Sequence, residues 1–140
     1  MAEEILIGPY ITVNTVDLSA YVQEMTINRE GAIEEFVTSN VGGTTVYKRR
    51  LFGTQDFSIN VTWSDDFAAA KVHLTLSAGF GSPYTIVAAL HGSTPAATNE
   101  VWTDTMVLGS LPAGGAVGSH LVKQSTFMHA SGTPTADVTP

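Results

Sequence analysis

Phe57-Ser58-Ile59-Asn60-Val61-Thr62-Trp63-Ser64 alternates between large apolar and small polar side chains. A period of two is that of a β-strand with one face in a core and the other toward water. The same period recurs on either side. Tyr21, Gln23, Met25, Ile27 and Arg29 fall on one face of a second strand, and Val22, Glu24, Thr26, Asn28 and Glu30 on the other. That second face is mostly polar and acidic. Ile11 to Val13, Thr44 to Leu51, Tyr84 to Leu90, Glu100 to Leu108 and His120 to His129 bring the total to about seven strands, each rich in Thr and Val.

One stretch reads as a helix, over about residues 65–77. Ser64 is a suitable N-cap, and Asp65 and Asp66 place negative charge in the first turn. Phe67, Ala70, Leu74 and Ala78 then share one face, the alanines Ala68 to Ala70 allow close packing on a sheet, and Gly79 offers a left-handed end. Gly42-Gly43, Gly79 to Pro83, Gly92 to Pro95 and Pro112 to Gly118 separate the elements. The fold class expected is mainly β: an antiparallel β-sandwich or barrel with one flanking α-helix. Residues 1–10 read as an N-terminal arm, 11–130 as a single domain, and Ser131 to Pro140 as a flexible C-terminal arm.

Composition excludes several functions. The chain has 140 residues, 44% of them hydrophobic and 14% charged, so it folds as one domain rather than remaining disordered. It has no cysteine, which removes disulfides, thiol nucleophiles and cysteine-ligated metals. A net charge of −7 argues against gripping nucleic acid through phosphates. The low charged fraction fits either a Thr/Ser-rich polar surface or a surface buried against other copies. No apolar run is long enough to span a membrane, so no membrane insertion is expected. Met1 to Gly8 carries two glutamates where a signal peptide needs positive charge, so export by such a peptide is not expected.

Catalytic patterns are missing. His73, His91, His120 and His129 include no i, i+4 pair, and on a shared strand His120 and His129 point to opposite faces. Glu34 and Glu35 are strand neighbours on opposite faces, a poor acid–base pair. Gly79-Phe80-Gly81 lacks the third glycine of a dinucleotide fingerprint. No metal, no cofactor and no enzymatic activity are expected. Lys48-Arg49-Arg50 holds half of the basic charge, suited either to an acidic neighbour or to a solvated strand edge. Trp63 and Trp102 fall on apolar strand faces and read as core.

Val13-Asn14-Thr15-Val16-Asp17-Leu18-Ser19-Ala20-Tyr21-Val22 resembles the "VN-x-VDLS-x-YV" opening of major tail proteins, the tail tube subunits of long-tailed, non-contractile bacteriophages. Further segments are similar in the same order. Leu51 to Asp56 resembles the family's "GL-x-D" strand start, and Asp66 to Val72 its "D-Y/F-A-A-G-K-V" helix. Ala97 to Glu100 is similar to "A-T-N-P", and Pro112 to Gly118 to the "P-x-x-G-x-x-G-D" turn. Residues 31–46 depart from the family's short loop, and His120 stands near a position where Asp is common.

The resemblance implies a structural virion protein. Six copies would form a ring, and rings would stack into a tube around a tape measure protein. The tube would end on tail terminator and distal tail proteins, and genomic DNA would pass through without specific binding. Its location would be the virion tail, with assembly in the host cytoplasm. If each subunit contributes four strands, spaced about 4.8 Å apart, the barrel is roughly 37 Å across. Lumen-facing candidates are Glu24, Asn28 and Glu30, or else Ser58, Asn60 and Thr62. Candidates for contacts between subunits or rings are Glu34, Glu35, Gly42, Gly43, Lys48, Arg49 and Arg50. The alternatives are another ring-forming virion protein (tail terminator, head–tail joining or distal tail protein), an immunoglobulin-like binding module, or an enzyme with an unrecognised pocket.

Overall fold

The first hairpin among the described residues shows how closely local chemistry sets this architecture. β1 (Tyr10–Val13) and β2 (Val16–Asp17) pair with Val13 opposite Val16, leaving Asn14 and Thr15 as a two-residue loop. Both loop residues have positive φ, 48° and 71°, as a tight hairpin turn of matching twist requires. The turn is anchored on a neighbouring strand. Asn14 Oδ1 accepts from the Thr85 N–H at 2.9 Å, and the Asn14 N–H donates to the Thr85 carbonyl at 2.9 Å. Asp17 then caps the 3-10 turn Ser19–Tyr21 by accepting from the Ser19 N–H at 2.9 Å and from its hydroxyl at 2.6 Å. Leu18, between them, is fully buried. The motif that carries the family resemblance is therefore a set of turn and cap residues.

The computed structural model describes residues 8–38, 47–65 and 71–139. The remaining elements are β3 (Val22–Thr38), β4 (Tyr47–Ser64), α1 (Val72–Gly79), β5 (Tyr84–Ala89), β6 (Val101–Leu108) and β7 (Val122–Asp137). All seven strands form one antiparallel sheet in the order β2-β1-β5-β6-β7-β4-β3. The sheet must curl. Flat, its two edge strands would lie about 29 Å apart. Yet β2 ends at Asp17 and β3 begins at Val22, a link that spans at most about 18 Å when extended. The edges therefore approach each other and one face closes around a common core. Ile11, Val13, Met25, Ile59, Trp63, Ile86, Met106 and Phe127 meet in it, with Tyr84 and Phe127 edge-on at 6.0 Å.

The mainly β class with one helix is the one expected, but several elements differ. Thr44 to Leu51 and Phe57 to Trp63 are not separate: the described part of the former joins the latter in the 18-residue β4. Ser64 does not cap a helix; it pairs with Val122 as the last residue of β4. The Asp65 N–H donates to the Leu121 carbonyl at 2.8 Å, so Asp65 prolongs the ladder. The helix runs Val72–Gly79 and buries Val72 and Leu76, an i, i+4 pair, while Leu74 and Ala78 of the expected face are exposed. Asp66 to Ala70 lie outside the described residues. Gly79 is not left-handed; the positive φ, 94°, falls at Gly81. Gly79 is small for a different reason, since a Cβ there would stand 2.5 Å from the Tyr84 ring. Ser131 to Asp137, expected as a flexible arm, continue β7 alongside β6. Tyr10 belongs to β1 rather than to an arm, and residues 1–7 lie outside the described residues.

Candidate assembly surface

Register decides what the outer face of the sheet presents. Glu24 lies opposite Thr62, Thr26 opposite Asn60, and Asn28 opposite Ser58. On the far side of β4, Ser58 faces Met128, Asn60 faces Thr126, and Thr62 faces Gln124. Directly opposed residues share a face. The two lumen-facing sets read from sequence, Glu24, Asn28 and Glu30 against Ser58, Asn60 and Thr62, are therefore one surface. Glu24, Glu30 and Asn60 are exposed on it, and Asn28, Ser58 and Thr62 are half-buried. Its charges are Glu24, Glu30 and Asp56, and none of its residues between 24–30, 56–62 and 124–128 is basic.

Beyond this face β3 and β4 continue as a two-stranded arm. β4 leaves β7 after Ser58 opposite Met128, while β3 and β4 stay paired out to Thr38 opposite Tyr47. Ile33 pairs with Phe52 on one side of the arm, and Phe36 neighbours Leu51 on the other. These side chains are 57%, 72%, 40% and 58% exposed, respectively. An isolated two-stranded ribbon is marginal in water, and apolar side chains on both of its faces are what a neighbouring molecule covers.

The basic triplet sits on the arm and divides between its faces. Arg50 lies opposite Glu35 and donates from Nε to Oε1 at 2.9 Å; Lys48 Nζ is 3.9 Å from the same carboxylate. Both pairs are half-exposed, so each stabilises the arm by less than about 1 kcal/mol. Arg49 is exposed on the opposite face, the face of Glu34. Gly42 and Gly43 lie outside the described residues. Phe52 covers Gly31, where a Cβ would stand 2.7 Å from its ring.

Where β4 and β7 part, a cleft of about 690 Å³ opens between the base of the arm and the end of β7. Trp102 stands in its wall with Phe57 at 5.0 Å between centroids and the Arg29 guanidinium 5.0 Å from its ring. Trp102 is thus half-buried rather than deep core, whereas Trp63 is fully buried as read. His129 also lines the cleft, its Nδ1 2.7 Å from the buried carboxylate of Asp104. Among the described residues no group of three or more His, Asp or Glu side chains is arranged to hold a metal ion.

Sequence reading missed Asp104–His129 and a second buried pair, Lys123–Asp65, at 3.1 Å. A signal existed. Asp104 shares its strand parity with Trp102, Met106 and Leu108, and Lys123 with Ser125 and Phe127. A charge on the core parity of a strand needs a buried partner. His120 stands before β7, not on it, 3.4 Å from the Gln23 amide. Asn99, in the similar "A-T-N" segment, is buried and ties its loop by donating to the carbonyls of Gly92 and Thr94, both at 2.9 Å.

No protein-family model matches this chain, and no curated protein matches it. Among solved structures, one from the virion of a native gene transfer agent particle superposes with a TM-score of 0.68 at 11% identity. The alignment covers 92% of this chain and 95% of that one, so the likeness takes in nearly the whole of both folds. The chain therefore shares, over nearly its whole length, the fold of a protein from the virion of a gene transfer agent particle.

Proposed function

We propose that this chain is a structural virion protein, not an enzyme, and that it forms the tail tube of a long-tailed, non-contractile phage or phage-like particle. Six copies close into a ring, rings stack around a tape measure protein, and the polar acidic face of β3, β4 and β7 lines the lumen. The observation that carries this reading is the arm. It extends past the core with apolar side chains on both faces, as a part completed by neighbouring copies does. The shared fold with a virion chain and the motif resemblance point the same way.

The acidic face then has a mechanical role. A basic lumen would hold DNA by releasing counterions and would resist sliding. A wall with Glu24, Glu30 and Asp56 and no opposing cation repels phosphates and lets the genome pass. Tail terminator and distal tail proteins would close the ends of the tube. Electron microscopy of the purified full chain is the test. Long hollow tubes with Glu24 and Asn60 on the inner wall are expected. Single rings that never stack would assign the chain to a terminator or joining role, and persistent monomers would overturn the reading.

A further inference from the structure

The end of β4 holds a buried charged cluster apart from the exposed acidic face and the arm. The side chains of Lys123 and Asp65 are each only 1% exposed, with Nζ and Oδ2 3.1 Å apart. Nζ also meets Nδ1 of His73, on α1, at 2.6 Å. Since an ammonium only donates, Nδ1 accepts and the ring proton sits on Nε2. Three elements converge there, and the backbone fixes two of them. Trp63 lies opposite Lys123, Ser64 opposite Val122, and the Asp65 N–H is bonded to Leu121. Trp63 and Val72, the chain neighbours of this cluster, are fully buried.

A buried ion pair adds little stability over apolar packing, because two charges must be stripped of water. The same geometry has a second chemical outcome. An amine and a carboxyl are held in contact, away from bulk water, with an imidazole against the nitrogen. We propose that Lys123 Nζ and Asp65 Cγ join in an intramolecular isopeptide bond.

In the reaction one ammonium proton passes to Oδ2, leaving a neutral amine beside a neutral carboxyl. Nζ attacks Cγ, and the N–C bond forms as the C=O bond opens to a tetrahedral centre. His73 Nδ1 takes the second proton from nitrogen and returns it to the departing hydroxyl. The C–OH bond breaks, the carbonyl reforms, and one water leaves. Nothing is oxidised or reduced, and His73 ends as it began. The product ties the end of β4 to β7 in a chain that has no cysteine to do so. A cross-link between segments distant in sequence limits the freedom of the unfolded chain, as a disulfide does.

Intact-mass spectrometry of the purified full chain under denaturing conditions is the test. The wild-type protein should weigh about 18 Da less than its sequence, and a tryptic digest should yield one branched peptide holding Asp65 and Lys123. Asp65→Asn keeps the shape and should lose ammonia instead, a deficit of about 17 Da. Asp65→Ala and Lys123→Ala should show their sequence masses. His73→Gln should slow the appearance of the linked form at least about tenfold. A wild-type mass equal to the sequence mass after prolonged incubation overturns the proposal, as does a deficit that the digest places elsewhere. An unchanged rate in His73→Gln removes that residue from the step.

Discussion

Thr15 carries a β-branched side chain at φ 71° in a two-residue turn, a conformation such residues rarely adopt. Thr15→Gly should raise stability by about 1 kcal/mol, read by denaturant unfolding, because the relief exceeds the added freedom of the unfolded chain. Tyr84 illustrates the opposite case. It is fully buried, its hydroxyl donates to the Leu76 carbonyl, and burial raises its pKa above 10.0. The native phenol therefore keeps its proton to higher pH than the unfolded one. The resulting stability is complete below about pH 10 and is lost as pH rises through the native value. Tyr84→Phe should flatten that alkaline limb and cost about 1–2 kcal/mol at neutral pH, checked by thermal melts across pH. Asn14 stood out in the sequence only as part of a resembling motif, and its place in a two-residue turn comes from the structure. Gly79 was legible as punctuation, but not as the residue that lets Tyr84 approach the helix.

Among the elements, strands were readable and boundaries were not. Period two survives wherever one face is buried, as at Phe57 to Trp63. It fades on the arm, where residues from Ile33 to Phe36 and from Lys48 to Phe52 are exposed on both faces and nothing in the isolated chain enforces alternation. Ser64-Asp65 imitates a helix start because the same small and acidic residues also serve a strand end whose carboxylate finds a buried lysine. The arm gives a clean separation of stability from assembly. Leu51→Thr with Phe52→Thr keeps strand-forming side chains and should change unfolding free energy by no more than about 1 kcal/mol, since both side chains face water in the single chain. The same pair should raise the concentration needed for assembly at least about tenfold, measured by sedimentation.

For the whole molecule, the pairing of β3 with β4 turns two candidate faces into one. Neither strand alone reveals this, because register depends on pairings between residues far apart in sequence. Glu24→Lys, Glu30→Lys and Asp56→Lys together should leave the fold intact, since these side chains are exposed. Assemblies of this variant should retain duplex DNA, and retention should fall at least about tenfold between about 50 and about 200 mM salt. Wild-type assemblies should retain none, as a filter-binding titration would report.

The strand order also sets the sequence of events during synthesis. β1 lies against β5 and β4 against β7, so the ends of the sheet wait for chain not yet made, whereas β3 and β4 are joined directly. Distant pairings form slowly, and local ones quickly. The β3–β4 ribbon can therefore leave the ribosome already paired, with Phe52 and Leu51 open to solvent, before the core beneath it exists. Newly made chains have a window in which they are sticky but incomplete, and the length of that window is set by the time needed to deliver β7.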